Sequence, residues 1–375
     1  MSTKKGLKIF VDGYLLNKEH QGTKTYIREL YLEFAAQNPD ILIVFGCFKD
    51  PSIEKEFSEF KNIRFIYFQQ SSRVLRMFFE IPKIIKEQQF DFAHFQYVIP
   101  FLKSKSCKYI VTIHDVLFND FKAYFSYQYR LKRNFLFKYS AKKSDFLLTV
   151  SNYSKERIKE YYKLRNKKIL ITPNGVNKSF FLSYSKKDAI NYIQNKFGIK
   201  DYILYVSRIE PRKNQQGLLK AFFDLEETNT QIVFIGVKSL NNKELISLIA
   251  SLSAAQKKRV HILKNISDSD LLLFYQAAKV FAYPTFAEGF GIPPLEAAAL
   301  RIPVLCSNRT AMKDFDFFSP YFIDFNDLDA TTKSLSKILK TQNPVHLNKI
   351  QTLIKDTYNW EVSSKVLTSI IKKKT

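Results

Sequence analysis

The sequence predicts an α/β protein made of two Rossmann-like domains. Three observations lead there. Short apolar runs of strand length, such as Ile41-Leu-Ile-Val-Phe45 and Gln231-Ile-Val-Phe-Ile-Gly236, recur along the chain between stretches that read as helix. A strand, a polar loop and a helix open the chain, and the same unit starts afresh at 202–222. The length of 375 residues suits two domains, and 46% hydrophobic residues let each half bury its own core.

In chain order, Lys8-Ile-Phe-Val-Asp12 reads as a buried strand, residues 13–24 as a loop holding Gly22, and Thr25 onward as a helix. A loop at the carboxyl end of such a strand is where these units bind ligands. Strands follow at 41–45 and 63–67. The segment 72–88 is apolar at roughly helical spacing, ringed by Arg73, Arg76, Lys83 and Lys86, and Pro82 predicts a kink or break in it. A core-facing helix with solvated charges and a membrane-surface helix both fit this pattern. Strands at 91–95 and 109–115 end in polar residues, and His114 at a carboxyl end faces the ligand crevice. From Phe121 to Lys168 basic residues outnumber acidic ones, with tyrosines and phenylalanines interleaved. That composition suits an anionic membrane surface, single-stranded nucleic acid, or a basic helix pair with its aromatics turned inward. Residues 146–151 read as a strand followed by a serine-capped helix, and Ile169-Leu-Ile-Thr-Pro-Asn-Gly-Val176 as a strand ending in a turn.

The second half opens with the strand Tyr202-Ile-Leu-Tyr-Val-Ser207 and the loop Arg208-Ile-Glu-Pro-Arg-Lys213. Arg208 and Lys213 offer a fork and a point charge to a diphosphate, with Arg212 as a third cation. Ser267 is placed to cap a helix at 268–278. The strand Val280-Phe-Ala-Tyr283 then leads through Gly289 and Gly291 to a helix with proline in its first turn. Two glycines before a helix expose N–H groups and the positive end of its dipole, which suits a diphosphate. Glu288 and Glu296 flank this loop, and carboxylates beside an anion site look for hydroxyls, as on a sugar or a ribose.

The formal charge of +24 points to nucleic acid, an anionic membrane or anionic substrates, or reflects a chain rich in Lys, Asn, Ile, Phe and Tyr. No run is apolar enough for a secretion signal or a membrane span, and Cys47, Cys107 and Cys306 lack metal-ligand spacing. A cytoplasmic protein is expected.

Glu288-Gly-Phe-Gly-Ile-Pro-Pro-Leu-Glu296 is similar to the E-x7-E signature of family 4 glycosyltransferases. That family has the GT-B fold, two Rossmann-like domains with parallel sheets facing across a cleft. The resemblance implies that Glu288 contacts donor-sugar hydroxyls, Glu296 holds the nucleotide ribose, and Gly289, Phe290, Gly291 and Ile292 border the donor. Arg208 and Lys213 resemble the R-x4-K pair that binds the donor pyrophosphate and supports its departure. Residues 109–115 resemble the T-x-H-D element, which puts His114 beside the donor sugar, and 260–267 resemble the segment bordering the base, with Ile266 in it. Gly22 stands where the family usually has a Gly-Gly pair near the donor phosphates and the acceptor. The Pro173-Asn174-Gly175 turn resembles the passage between domains, so the limits fall at 1–172 with 358–375, and 173–357.

The implied activity is retaining transfer of a hexose from a GDP- or UDP-sugar to a lipid-linked or oligosaccharide acceptor in surface glycan synthesis. His114, Glu288, Arg208 and Lys213 would be its catalytic residues. No metal and no cofactor beyond the donor are expected, no nucleic-acid partner, and a peripheral site at the inner face of the plasma membrane. Another GT-B enzyme, an epimerase or phosphorylase, and a basic nucleic-acid-binding protein are the alternatives.

Overall fold

The computed structural model describes residues 6–17, 22–225, 229–238, 242–341 and 343–373. The chain divides into two compact units, Met1–Gly175 with Trp360–Thr375, and Val176–Asn359.

The first unit is built on seven parallel strands: β1 (Lys8–Asp12), β2 (Leu42–Cys47), β3 (Ile63–Tyr67), β4 (Phe92–Gln96), β5 (Lys108–Thr112), β6 (Phe146–Thr149) and β7 (Ile169–Ile171). Their order is β3-β2-β1-β4-β5-β6-β7. The direction of winding therefore reverses between β1 and β4, and the crevice beyond their carboxyl ends is the place such a sheet offers a ligand. Ile9, Phe10 and Val11 are wholly buried, as expected for a strand covered by helices on both faces. The helix Trp360–Lys372 returns to this unit. Ser363 donates to the Pro173 carbonyl at 2.5 Å and Ser364 to Gln37 at 2.8 Å, while Leu367 and Ile371 are buried.

The second unit repeats the plan with β8 (Tyr202–Val206), β9 (Gln231–Ile235), β10 (Val260–Leu263), β11 (Val280–Tyr283), β12 (Val304–Ser307) and β13 (Phe322–Ile323). The order β10-β9-β8-β11-β12-β13 puts its reversal between β8 and β11. Gly236 closes β9 so tightly on β8 that a Cβ there would sit 1.9 Å from the Ser207 carbonyl oxygen.

Pro82 does not break its helix. The chain widens into one π turn, Arg76–Glu80, in which Ile81 N–H reaches the Arg76 carbonyl, and Pro82 follows in the first turn of Ile81–Gln88. The wider turn absorbs the backbone conflict that a mid-helix proline creates. Met77, Ile81 and Ile85 face the core, but Val74, Leu75, Phe78 and Phe79 are exposed. The helix Tyr127–Lys143 is likewise divided. Phe137 is buried, whereas Tyr127, Tyr129, Leu131 and Phe135 are exposed, so its aromatics do not all turn inward.

Candidate active site

In the second unit, the two loops singled out in the sequence leave the carboxyl ends of β8 and β11, the neighbouring strands at the switch point. Pro211–Lys213 forms a short 3-10 turn that ends in Asn214, whose left-handed backbone lets its side chain cap Gln215–Phe223. After β11 the chain runs through Glu288 to Gly291, which has φ +101° and would drive a Cβ to 2.3 Å from Met312 Cε. The left-handed backbone angle therefore favours glycine there, while the contact with the end of the Met312 side chain only asks that side chain to shift. The helix Ile292–Ala299 starts at once, with prolines in its first turn.

The two loops are fastened together. Phe286 N–H donates to the Arg212 carbonyl at 2.9 Å, and the Arg212 guanidinium donates back to the Ala287 carbonyl at 2.6 Å. The same guanidinium lies 2.5 Å from Glu210 and 3.5 Å from Glu288. Lys213 forms an ion pair with Glu288 through Oε1, and Tyr283 donates to that same oxygen at 2.7 Å. Glu288 N–H is received by Thr310 Oγ1 at 2.9 Å. Lys213 and Glu288 are both buried, and burial alone would raise the carboxyl, but Lys213 and Arg212 hold it below the ordinary glutamate value.

Arg208 behaves differently from Lys213, although the sequence puts both on one loop as equals. It is exposed, and among the described residues its guanidinium has no ion-pair partner. Glu296 is half-buried in the first helix after the loop and accepts from Tyr275 at 2.8 Å. Burial pushes its carboxyl up to about 7, and Asp268 adds a like charge. Phe290 is packed edge-on against Phe315 and Tyr358, so its ring anchors the loop. Gly289 is buried and Ile292 is half-buried. Ile266 is half-buried beyond β10, just before Ser267, which accepts from Asp270 N–H to cap Asp268–Ala277.

In the first unit, His114 lies just beyond β5, buried, with Nε2 2.8 Å from Gln96 Oε1 at the end of β4. The edge-on Tyr26 ring and the tilted Tyr97 ring enclose it at 4.8 and 5.2 Å. Burial lowers its pKa to about 3, so the imidazole is neutral and Nε2 donates to the amide oxygen. Gly22 is the first residue of the helix Gly22–Gln37, and a Cβ there would meet nothing within 4 Å. Gln21, before it, lies outside the described residues.

The structure thus brings together Lys213 and Glu288, and adds Arg212, Glu210, Tyr283 and Thr310. Tyr283 and Thr310 were not identified from sequence. Their one sequence signal is position, since each lies at or just beyond the end of a strand next to the switch point. Asp270, in the first turn of the helix Asp268–Ala277, is committed to Lys196 and Tyr192 at 2.9 Å each.

Most of the chain resembles known proteins. Residues 20–180 match the family described as Glycosyltransferase Family 4, and residues 186–360 match Glycosyl transferases group 1. The chain belongs to the glycosyltransferases that carry this pair of domains. O-antigen chain mannosyltransferase B of Escherichia coli is 30% identical over 198 residues, 52% of this chain and 51% of that protein. The chain thus spans about half the length of that curated relative. Sucrose-phosphate synthase from Thermosynechococcus elongatus superposes with a TM-score of 0.77 at 17% identity, covering 98% of each chain. Anabaena HepE in complex with UDP-glucose superposes with a TM-score of 0.72 at 13% identity, covering 98% of this chain and 99% of that one. These likenesses make the fold GT-B.

Proposed function

We propose that the protein moves a hexose, of the mannose or glucose type, from a nucleotide-diphosphate sugar to a lipid-linked or oligosaccharide acceptor with retention of configuration. The observation that carries this reading is the Lys213–Glu288–Arg212 cluster at the switch point between β8 and β11, directly before the helix that Gly291 opens. The name of the mannosyltransferase relative and the UDP-glucose held by HepE support the donor class.

An incoming diphosphate meets Arg208 first, because Lys213 is already neutralised by Glu288. Donor-sugar hydroxyls then donate to Glu288, which releases Lys213 toward the phosphate. As the bond from the sugar carbon to the diphosphate oxygen breaks, the leaving oxygen takes both electrons, the acceptor hydroxyl oxygen bonds to the same face of that carbon, and the hydroxyl proton passes to the departing diphosphate. Lys213, Arg208 and the N–H groups before Ile292 face that charge in a partly dry loop, where fixed donors count most. No metal is required by this scheme. His114 acts as a neutral hydrogen-bonding group oriented by Gln96.

The first unit exposes Lys132, Lys138, Lys142 and Lys143 beside Tyr127, Leu131 and Phe135. Apolar side chains with flanking ammonium groups suit the headgroup zone of an anionic leaflet, where a lipid-linked acceptor resides. Among the described residues no helix is long and apolar enough to cross a membrane, so this attachment would be peripheral.

The test is release of nucleoside diphosphate from a set of GDP- and UDP-hexoses, with and without EDTA. Turnover of at least one donor that persists in EDTA is expected. Neither binding nor turnover of any donor would overturn the reading, and activity abolished by EDTA and restored by Mn²⁺ would overturn its metal-independence.

A further inference from the structure

The first unit has a polar centre at its own switch point that the donor chemistry does not use. Asp12 ends β1, is buried, and keeps Oδ1 without a hydrogen-bond partner among the described residues. Arg76, on the helix that follows β3, is only 2% exposed, and its Nε is likewise unpartnered. One of its terminal nitrogens holds the loop before it through the Gln70 and Ser71 carbonyls, at 3.0 and 3.4 Å. Its guanidinium lies 5.0 Å over Tyr14, 5.3 Å over Phe48 and 5.0 Å over Phe68. Arg73, exposed, stacks over the same Tyr14 ring at 5.4 Å. Among the described residues neither arginine is ion-paired.

A buried guanidinium with no carboxylate in contact is costly unless an anion meets it. Aromatic faces stabilise the cation but leave its N–H donors unused. The two unpartnered atoms ask for opposite things, since Arg76 Nε needs an acceptor and Asp12 Oδ1 needs a donor. A phosphate ester next to a hydroxyl supplies both. Beside these arginines on the same helix stand the exposed Val74, Leu75, Phe78 and Phe79, with Phe78 stacked on Phe101 at 5.2 Å.

From this juxtaposition we infer that Arg73, Arg76 and Tyr14 form the phosphate subsite of a lipid-linked acceptor, with Val74, Leu75, Phe78 and Phe79 receiving the start of its hydrocarbon chain. Arg76 gives the buried contact and Arg73 the solvent-side one, as a two-guanidinium clamp on one phosphate. Asp12 keeps the site from carrying two uncompensated charges and accepts from a hydroxyl of the group attached to the phosphate. Burial raises the Asp12 pKa against the pull of the two arginines. The inference rests on the lipid-linked acceptor proposed above.

The test is calorimetric titration of the full chain with farnesyl diphosphate below its micellar concentration, with saturating GDP or UDP present. Farnesol and inorganic diphosphate are titrated in parallel. Farnesyl diphosphate should bind, and inorganic diphosphate more weakly. Arg73→Gln should lose about tenfold or more, the scale of a charge-assisted contact. Arg76→Lys should weaken binding similarly without altering nucleotide affinity. Because Arg73 is exposed, its variant keeps the test decisive even if changes at Arg76 impair folding. Farnesol binding as tightly as the diphosphate would reduce the site to an apolar patch and overturn the inference. Displacement of farnesyl diphosphate by nucleotide, or wild-type affinity in Arg73→Gln, would also overturn it. Loss of nucleotide binding by the wild type would instead count against the donor reading alone.

Discussion

The two units share one strand order, yet they treat charge at their switch points in opposite ways. Around β8 and β11, Arg212 and Lys213 are held by Glu210 and Glu288, and the loops are tied to each other before any substrate arrives. Around β1 and β4, two arginines lean on aromatic rings without an ion pair among the described residues, and the histidine is kept neutral. A preformed, internally neutral cluster suits a site that must present donors in one geometry when charge develops. Cations that make no contact ion pair suit a surface or subsite whose partner brings further negative charge. On the proposed reading, the second unit is arranged for catalysis and the first for capture.

The largest expected effect breaks the neutral cluster. Lys213→Ala removes the ammonium proposed to face the leaving diphosphate, and turnover should fall ~10²-fold or more, the scale for one preorganised donor. It also leaves Glu288 buried with Arg212 at 3.5 Å as its remaining cation among the described residues, beside the Tyr283 hydroxyl. Breaking a buried pair from one side costs about 3–5 kcal/mol, so the melting temperature should fall as well. A folded Lys213→Ala protein with unchanged kinetics would remove Lys213 from the reaction.

The capture side is tested at a membrane. Each basic group near an anionic leaflet contributes about 1 kcal/mol, and salt screens it. Replacing Lys132, Lys142 and Lys143 together by Gln should weaken binding to anionic vesicles by roughly 10²-fold on that additive scale. Neutral vesicles should not bind, and nucleotide affinity should not change. Arg133 belongs less to this set than its charge implies, because it is half-buried over the Tyr129 and Phe137 rings at 4.5 and 5.5 Å. Equal partitioning onto neutral and anionic vesicles would reduce the basic surface to composition.

A third change sharpens the role of geometry over charge. Arg212→Lys keeps the cation but cannot reach Glu210, the Ala287 carbonyl and Glu288 together, since that needs a planar fork. Turnover should fall about tenfold while nucleoside diphosphate affinity holds, because a positioning group acts on the sugar through Glu288. Loss of diphosphate affinity in this variant would make Arg212 a phosphate ligand.

What the sequence reveals about these sites follows from distance along the chain. The loops 208–213 and 283–296 each carry their chemistry within a few residues, so their glycines, cations and carboxylates read directly. The pairing of Lys213 with Glu288 spans 75 positions and exists only because β8 and β11 are neighbours. The same holds for Asp12 with Arg73 and Arg76, which no local pattern joins. Pro82 marks an irregular turn and not a break, since a π turn before it lets the helical run continue. The two-domain fold read well because strand–loop–helix units are local and repeat. That Arg208 would be exposed and Lys213 buried was hidden, because burial depends on what the rest of the unit packs over each side chain.

The smallest effect concerns pH, and it again divides the units. His114 is held neutral, with its pKa lowered to about 3, so it cannot give an inflection near neutrality. Glu296 is the opposite case, raised to about 7 by burial beside Asp268. A carboxyl whose folded pKa lies above its unfolded value favours the folded state at low pH, and that contribution is lost as pH rises through about 7. Binding runs the other way. If Glu296 accepts from ribose hydroxyls, the carboxylate is the competent form, so nucleoside diphosphate affinity should rise several-fold between about pH 6 and pH 8. Glu296→Gln should flatten that rise and make the protein relatively more stable at the alkaline end. Comparing the variant with wild type cancels the titration of the nucleotide's own phosphate, which is identical in both. A rise in affinity that survives in Glu296→Gln would assign the pH dependence to the phosphate and remove Glu296 from the ribose.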